Sequence, residues 1–270
     1  MPYSASEIVI IAAIALVGGT VGGLLGLGGS IFIIPALTIA IGLNQHLYHA
    51  SALTANIFVA IAATLRHRGR GTIRADVVPT LATAAALAAT LGVLASNLID
   101  PKPLAALFGA YLCYTALAEL TALARRIADR PDPEAGSAPR RTIAAIGVLG
   151  GFASGLLGIG GGALMVPLLR KYAKLPMRHA VASSAAAMIA ACIVGASAKN
   201  ASIAGLTDAS GVPLTLERSL ALAAILAPCA AIGGSLGAAL VYRVPVDAIR
   251  AAFSLLLIAS GIRMILAALG

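Results

Sequence analysis

Charge is what this 270-residue sequence most conspicuously lacks. Only 11% of its residues are Asp, Glu, Lys or Arg, against about a quarter in a soluble domain, so too few exist to coat a water-facing surface of this size. Tryptophan is absent, and there are three cysteines, Cys113, Cys192 and Cys229. Each lies inside an apolar run and none forms a CxxC pair, which argues against a disulfide framework or a zinc site and for small buried hydrophobes. Residues 1–7 contain Glu7 and no Lys or Arg, so the basic start of a secretory signal is missing. No GxxxxGK[ST] phosphate loop occurs. Gly26-Leu27-Gly28 lacks the third glycine of a dinucleotide fingerprint, and no strand precedes it.

Apolar length is what the sequence has instead. Hydrophobic residues make up 60% of the chain, and several runs approach or exceed the roughly 20 residues that cross a bilayer. Continuous runs, rather than short alternating ones, exclude a β-barrel. The expectation is an all-α polytopic membrane protein. The net charge of +9 then reads as cytoplasmic loops rich in Lys and Arg, not as nucleic-acid binding.

One segment organises the chain. Gly22-Gly23-Leu24-Leu25-Gly26-Leu27-Gly28-Gly29-Ser30-Ile31-Phe32-Ile33-Ile34-Pro35 returns 132 positions later as Ser154-Gly155-Leu156-Leu157-Gly158-Ile159-Gly160-Gly161-Gly162-Ala163-Leu164-Met165-Val166-Pro167. His49 and His179 open a second matching stretch, and Gly92 with Gly237 and Phe108 with Phe253 align a third. The chain therefore reads as two homologous halves, residues 1–124 and 142–270, joined by a hydrophilic linker over 125–141.

Residues 8–43 would make a straight helix of about 54 Å, too long for a hydrocarbon core of about 30 Å. Glycine allows a break near 26–30, giving a hairpin without a net crossing. Three spans follow in each half. An odd number of spans places the halves in opposite orientation, as inverted repeats. With the 66–74 loop inside, that arrangement puts 15 Lys and Arg inside and 4 outside, whereas a parallel repeat gives 12 and 7. The positive-inside rule favours inversion. This reading leaves Lys199–Arg218 as an outer loop and the histidines at helix ends or in loops.

A helix N-terminus attracts anions through unpaired amides and a partial positive charge. Inverted hairpins can aim two such termini at one midplane site, lined by Gly28, Gly29, Ser30, Gly160, Gly161 and Gly162. Thr54, Ser183 and Ser184 could add hydroxyls, or could serve only as interhelical hydrogen bonds. His49, His179 and Glu119 are candidate proton carriers, with interfacial roles as the plainer reading. No catalytic constellation, metal site or cofactor is expected. The expected partners are a small anion and the lipid bilayer, with no nucleic acid; a homo-oligomer is left open.

At these motifs the sequence resembles the TauE/SafE family of sulfite and organosulfonate exporters, also called the 4-toluene sulfonate uptake permease family. Both glycine-rich copies, ending in Ile-Pro and Val-Pro, carry the resemblance, each followed by a short Ala/Ser/Thr segment. It implies a secondary transporter of small sulfur-containing anions or related carboxylates in a bacterial inner membrane, linked to the proton gradient. Two other classes stay in view: a membrane-embedded sulfur-handling enzyme or relay using a cysteine, and a passive anion channel.

Overall fold

The computed structural model describes residues 3–25, 28–124, 138–240 and 246–269. Among these it is helical throughout, apart from one isolated bridge between Thr207 and Pro213. The order is α1 (Ala5–Leu25), α2 (Ser30–Ala40), α3 (Gln45–Arg68), α4 (Val78–Asn97), α5 (Pro101–Ala124), α6 (Arg140–Leu157), α7 (Gly162–Tyr172), α8 (Met177–Ser202), α9 (Leu216–Leu240) and α10 (Val246–Leu269). Seven of them are long and apolar enough to cross a membrane. The expected linker lies mostly outside the described residues.

The hairpins form where the glycines fall. Between α1 and α2 the chain turns back, so that Gly22 meets the backbone of Gly28 and Gly29 while Gly18 meets Ile33. α6 and α7 do the same around Gly158–Gly161. At 11 residues each, α2 and α7 are about 16 Å long, half of a hydrocarbon core. They can enter a membrane but not cross it.

Packing exchanges partners between the halves. α1 lies against α9, and α6 against α4. In both pairs glycine brings backbone onto backbone. A Cβ at Gly19 would strike Ala230, and one at Gly23 would strike Gly234; in the other pair Gly151 and Gly155 meet Ala85 and Ala89. Gly92 sits on Phe152 and Leu156, Gly237 on Thr20 and Leu24. These contacts keep the sequence offsets of the repeat, so equivalent glycines do equivalent work. Such small-residue contact is the main source of helix association where burial from water contributes nothing. The directions also follow. α1 and α9 run parallel, as do α6 and α4. α3 and α8 run antiparallel, since His46 reaches Lys199 at one end while Asn56 lies near Met188 further along.

Lys199 departs from the sequence reading. Instead of opening a loop it lies in the last turns of α8, fully buried. His46 and His49 are likewise 2% and 0% exposed within α3, not solvated. The shortened loop after α8 is a compact turn. Asp208 Oδ1 accepts from the amides of Ser210 and Val212, and Leu214 closes the turn against Leu206.

Candidate functional site

The two glycine turns meet in the middle of the bundle. A Cβ at Gly28 would lie 2.8 Å from the Ile159 carbonyl oxygen, and one at Gly160 would lie 2.9 Å from Asn56 Nδ2. Asn56, from the buried face of α3, donates to Ser30 Oγ at 2.7 Å. It therefore touches both tips, Ser30 of the first and Gly160 of the second. Its own Oδ1 is buried without a partner, as are the hydroxyls of Ser154 and Ser184.

At these tips α2 and α7 begin. Neither has a side-chain cap, and the first amides of any helix lack an intrahelical acceptor. Gly28, Gly29, Ser30 and Gly160–Gly162 are all buried. The two turns differ in shape. Gly161 caps α7 at φ 83° and follows Gly160 at φ 76°, angles that L side chains avoid, whereas Gly29 caps α2 at an ordinary −68°.

The hydroxyl residues are dispersed. Thr54 Oγ1 donates to the Ala50 carbonyl and accepts from Asn200 Nδ2, toward the end of the bundle that holds the start of α3. Ser183 Oγ accepts the Arg74 amide at the opposite end. Beside it the Arg74 guanidinium, through two hydrogen bonds, holds the Asp76 carboxyl below its usual range. His179 Nδ1 donates to the Thr72 carbonyl, while His49, its repeat counterpart, has no hydrogen-bonded ring nitrogen and lies against Gly158. The ring faces the Gly155 carbonyl without reaching hydrogen-bond geometry. Glu119 is half-buried near the end of α5.

A narrow cleft runs from Gly28 and Met188 past Val59, Ala60 and Ala63 to His67. It is apolar except for His67, and stops short of the α2 and α7 termini. Asn56, Met188 and the cleft were not among the sequence candidates. Asn56 is a polar residue inside an apolar run, the one signal that could have found it, and Met188 carries no signal at all.

Comparison with known proteins decides the class. The model of the family described as "Sulfite exporter TauE/SafE" matches residues 11–264. The chain belongs to the TauE/SafE family. Its relatives include a "Probable membrane transporter protein MamO" of Paramagnetospirillum magneticum, 25% identical over 97% of this chain and 45% of that protein. A "Probable membrane transporter protein" of Xylella fastidiosa is 34% identical over 62% of this chain and 65% of its own length. A third, YunE of Bacillus subtilis, is 29% identical over 65% of this chain and 72% of its own. The chain thus spans less than half of the MamO proteins it matches. No solved structure matches it. As a TauE/SafE member with seven apolar helices among the described residues it is a multi-pass bacterial membrane protein, similar to proteins named as probable membrane transporters. Cys192 is buried among Leu53, Val93 and Met188.

Proposed function

We propose that this transporter is a secondary, proton-linked carrier of a small sulfur-containing oxyanion, held between the N-termini of α2 and α7. The observation that carries the reading is the meeting of two uncapped, buried helix starts around Asn56, whose amide donates to Ser30 and lies close to Gly160. Amides aimed at one point, on the positive ends of two helix dipoles, suit an anion. Ionised sulfite, sulfonate and thiosulfate offer acceptors and no acidic proton. The family description points to the same class. In this conformation the tips touch, so an anion enters when the Asn56 and Met188 side chains swing aside. Met188 is well suited to that, having three rotatable bonds. The apolar cleft is then the path on one side, not the resting place.

The halves lie as inverted repeats in the inner membrane, with the linker inside. Equivalent helices that run antiparallel, α3 with α8, support this. In a cysteine-free background, cysteines at Lys102 and Ser210 are expected to react with an impermeant reagent from outside. Cysteines at Gly69 and Lys171 are expected to react only after the membrane is opened. All four positions are exposed. Outside labelling at Lys171 with protection at Ser210 would require parallel repeats and remove the shared site.

The deciding experiment is a panel of sulfite, thiosulfate and methanesulfonate in proteoliposomes under an imposed proton gradient. At least one is expected to accumulate uphill, and flux should survive replacement of Cys113, Cys192 and Cys229 by alanine. Downhill flow without accumulation would identify a passive channel, and loss of flux in the cysteine-free protein would favour thiol chemistry.

A further inference from the structure

At the end of the bundle opposite the cleft mouth lies a buried cation whose partners are neutral. Lys199 Nζ donates to Asn97 Oδ1 at 2.6 Å, Ser96 Oγ at 2.9 Å and His46 Nδ1 at 3.0 Å. Three ammonium protons thus meet three acceptors from α3 and α4. His46 Nε2 lies 3.1 Å from the Ile99 carbonyl oxygen. A carbonyl only accepts, so the ring proton sits on Nε2 and leaves Nδ1 free to receive the lysine. Ser96 Oγ donates to the Val93 carbonyl, and Asn97 Nδ2 donates to Ser202 Oγ. Every polar atom of the cluster has a role, and no acidic side chain is among the partners of Lys199. An unpaired charge at such depth is expensive and is kept where it performs a task.

We propose that Lys199 and His46 together carry the coupling proton of this transporter and latch shut the end of the bundle that holds the start of α3. The proposal rests on the proton-linked transport reading above and names the residues behind it. The latched arrangement has room for one positive charge. A second proton, arriving from water, must bind His46 Nδ1, the atom that accepts Lys199. Binding there breaks the Nζ–H···Nδ1 bond and leaves two cations facing each other 3.0 Å apart, which repel strongly in a dry site. The start of α3 then separates from the ends of α4 and α8. A monoanion entering with that proton makes the step electrically neutral, and the freed ammonium can meet it.

The surroundings leave the pair to itself. Near the pair α3 carries two further titratable groups: His49, one turn along and buried with no hydrogen bond on either ring nitrogen, and Tyr48, whose hydroxyl donates to the Gly42 carbonyl. α4 presents Ser96 and Asn97, the turn after it the Ile99 carbonyl with Asp100 exposed, and α8 only Lys199. His49 also lies on Gly158 of the second glycine turn, so a proton released from His46 has its next acceptor at the edge of the anion site.

The test uses His46→Gln, which keeps an acceptor for Lys199 and a donor for Ile99 but cannot titrate, together with Lys199→Gln. In lipid nanodiscs, nitrogen-15 spectra of the histidines should show His46 with its proton on Nε2 at neutral pH. Its titration should move up by about one pH unit or more in Lys199→Gln, as removal of a neighbouring cation requires. A His46 signal that does not titrate, or that ignores Lys199→Gln, overturns the proposal without reference to any substrate. In proteoliposomes, one proton per monoanion allows about tenfold methanesulfonate accumulation per pH unit. His46→Gln, whose latch no proton can open, should fold with parental yield but lose both that accumulation and methanesulfonate exchange. Parental accumulation in His46→Gln overturns the proposal. Failure of the parent to move any sulfur anion overturns the substrate reading instead, and the spectra then decide the pair alone.

Discussion

Replacing Gly237 by valine is expected to leave almost no folded protein. A Cβ at that position overlaps the Thr20 carbonyl oxygen and comes within 2.7 Å of the Leu24 amide nitrogen. Both obstacles are backbone, which cannot turn aside as a side chain tip can, and α9 is pressed against α1 along its length. Overpacking usually costs about 1–3 kcal/mol; here two helices must part, so the upper end or beyond is expected. Gly92→Val should fail equally, because its Cβ meets Phe152 and Leu156 in the equivalent pair. Gly205→Ala, with nothing within 4 Å, is the neutral comparison. The measurement is the yield of monodisperse protein after extraction and its thermal midpoint. A Gly237→Val protein with parental yield and midpoint would mean that α1 and α9 are not held by this contact.

The second large effect is expected at Gly29, on binding rather than folding. Its backbone is ordinary, and a Cβ would stand 3.3 Å from the Gly18 carbonyl, a contact that a small shift relieves. Gly29→Ala should therefore fold and bind with modest loss. Gly29→Asp adds a carboxylate beside the proposed anion. Repulsion at about 4 Å and an effective dielectric of 20 is roughly 4 kcal/mol, close to a thousandfold in affinity. Gly161→Asp is a poorer test, since φ is +83° and the Gly150 carbonyl lies 2.8 Å from the new Cβ, so folding suffers as well. Calorimetric titration of folded Gly29→Asp with thiosulfate or methanesulfonate decides. Parental affinity would make Gly29 a packing residue and move the anion elsewhere.

Much of the fold was legible because it depends on features with a period or a copy. Long apolar runs gave the helices, and the duplicated glycine segment gave the hairpins and their equivalence. The glycines of the α1–α9 pair could be read as close-approach positions from their spacing of four, although their partners could not, since these lie some 200 residues away. The central site was legible only in part. Gly28, Gly29 and Gly160–Gly162 were named from the motif, and Ser30 does meet Asn56. Ser183 was named with them as a possible hydroxyl donor, yet it accepts from the Arg74 amide, because the early turns of α8 sit toward the end of the bundle rather than its middle. Lys199 was placed in a loop for a physical reason too. A lysine ending an apolar run ordinarily extends toward water, and only the ring of acceptors from His46, Ser96 and Asn97, far apart in sequence, reverses that preference. His46 and His49 were placed at helix ends or in loops on the same logic; the network explains the burial of His46, whereas His49 is buried with no hydrogen bond on its ring.

The exchange of partners between the halves also bears on how the protein is made. α1 leaves the ribosome well before its partner, for its glycine face fits α9, which follows roughly 200 residues later. At a synthesis rate of about 5–20 residues per second the wait is on the order of 10–40 s. Throughout it, a groove shaped for another helix faces lipid or whatever chaperone attends the insertion machinery. α4 waits for α6 in the same way, more briefly. Neither half can mature alone, so these pairings are completed only once α9 has emerged, and a nascent chain cut short before α9 presents the cell's quality-control proteases with an unmatched helix rather than half a transporter.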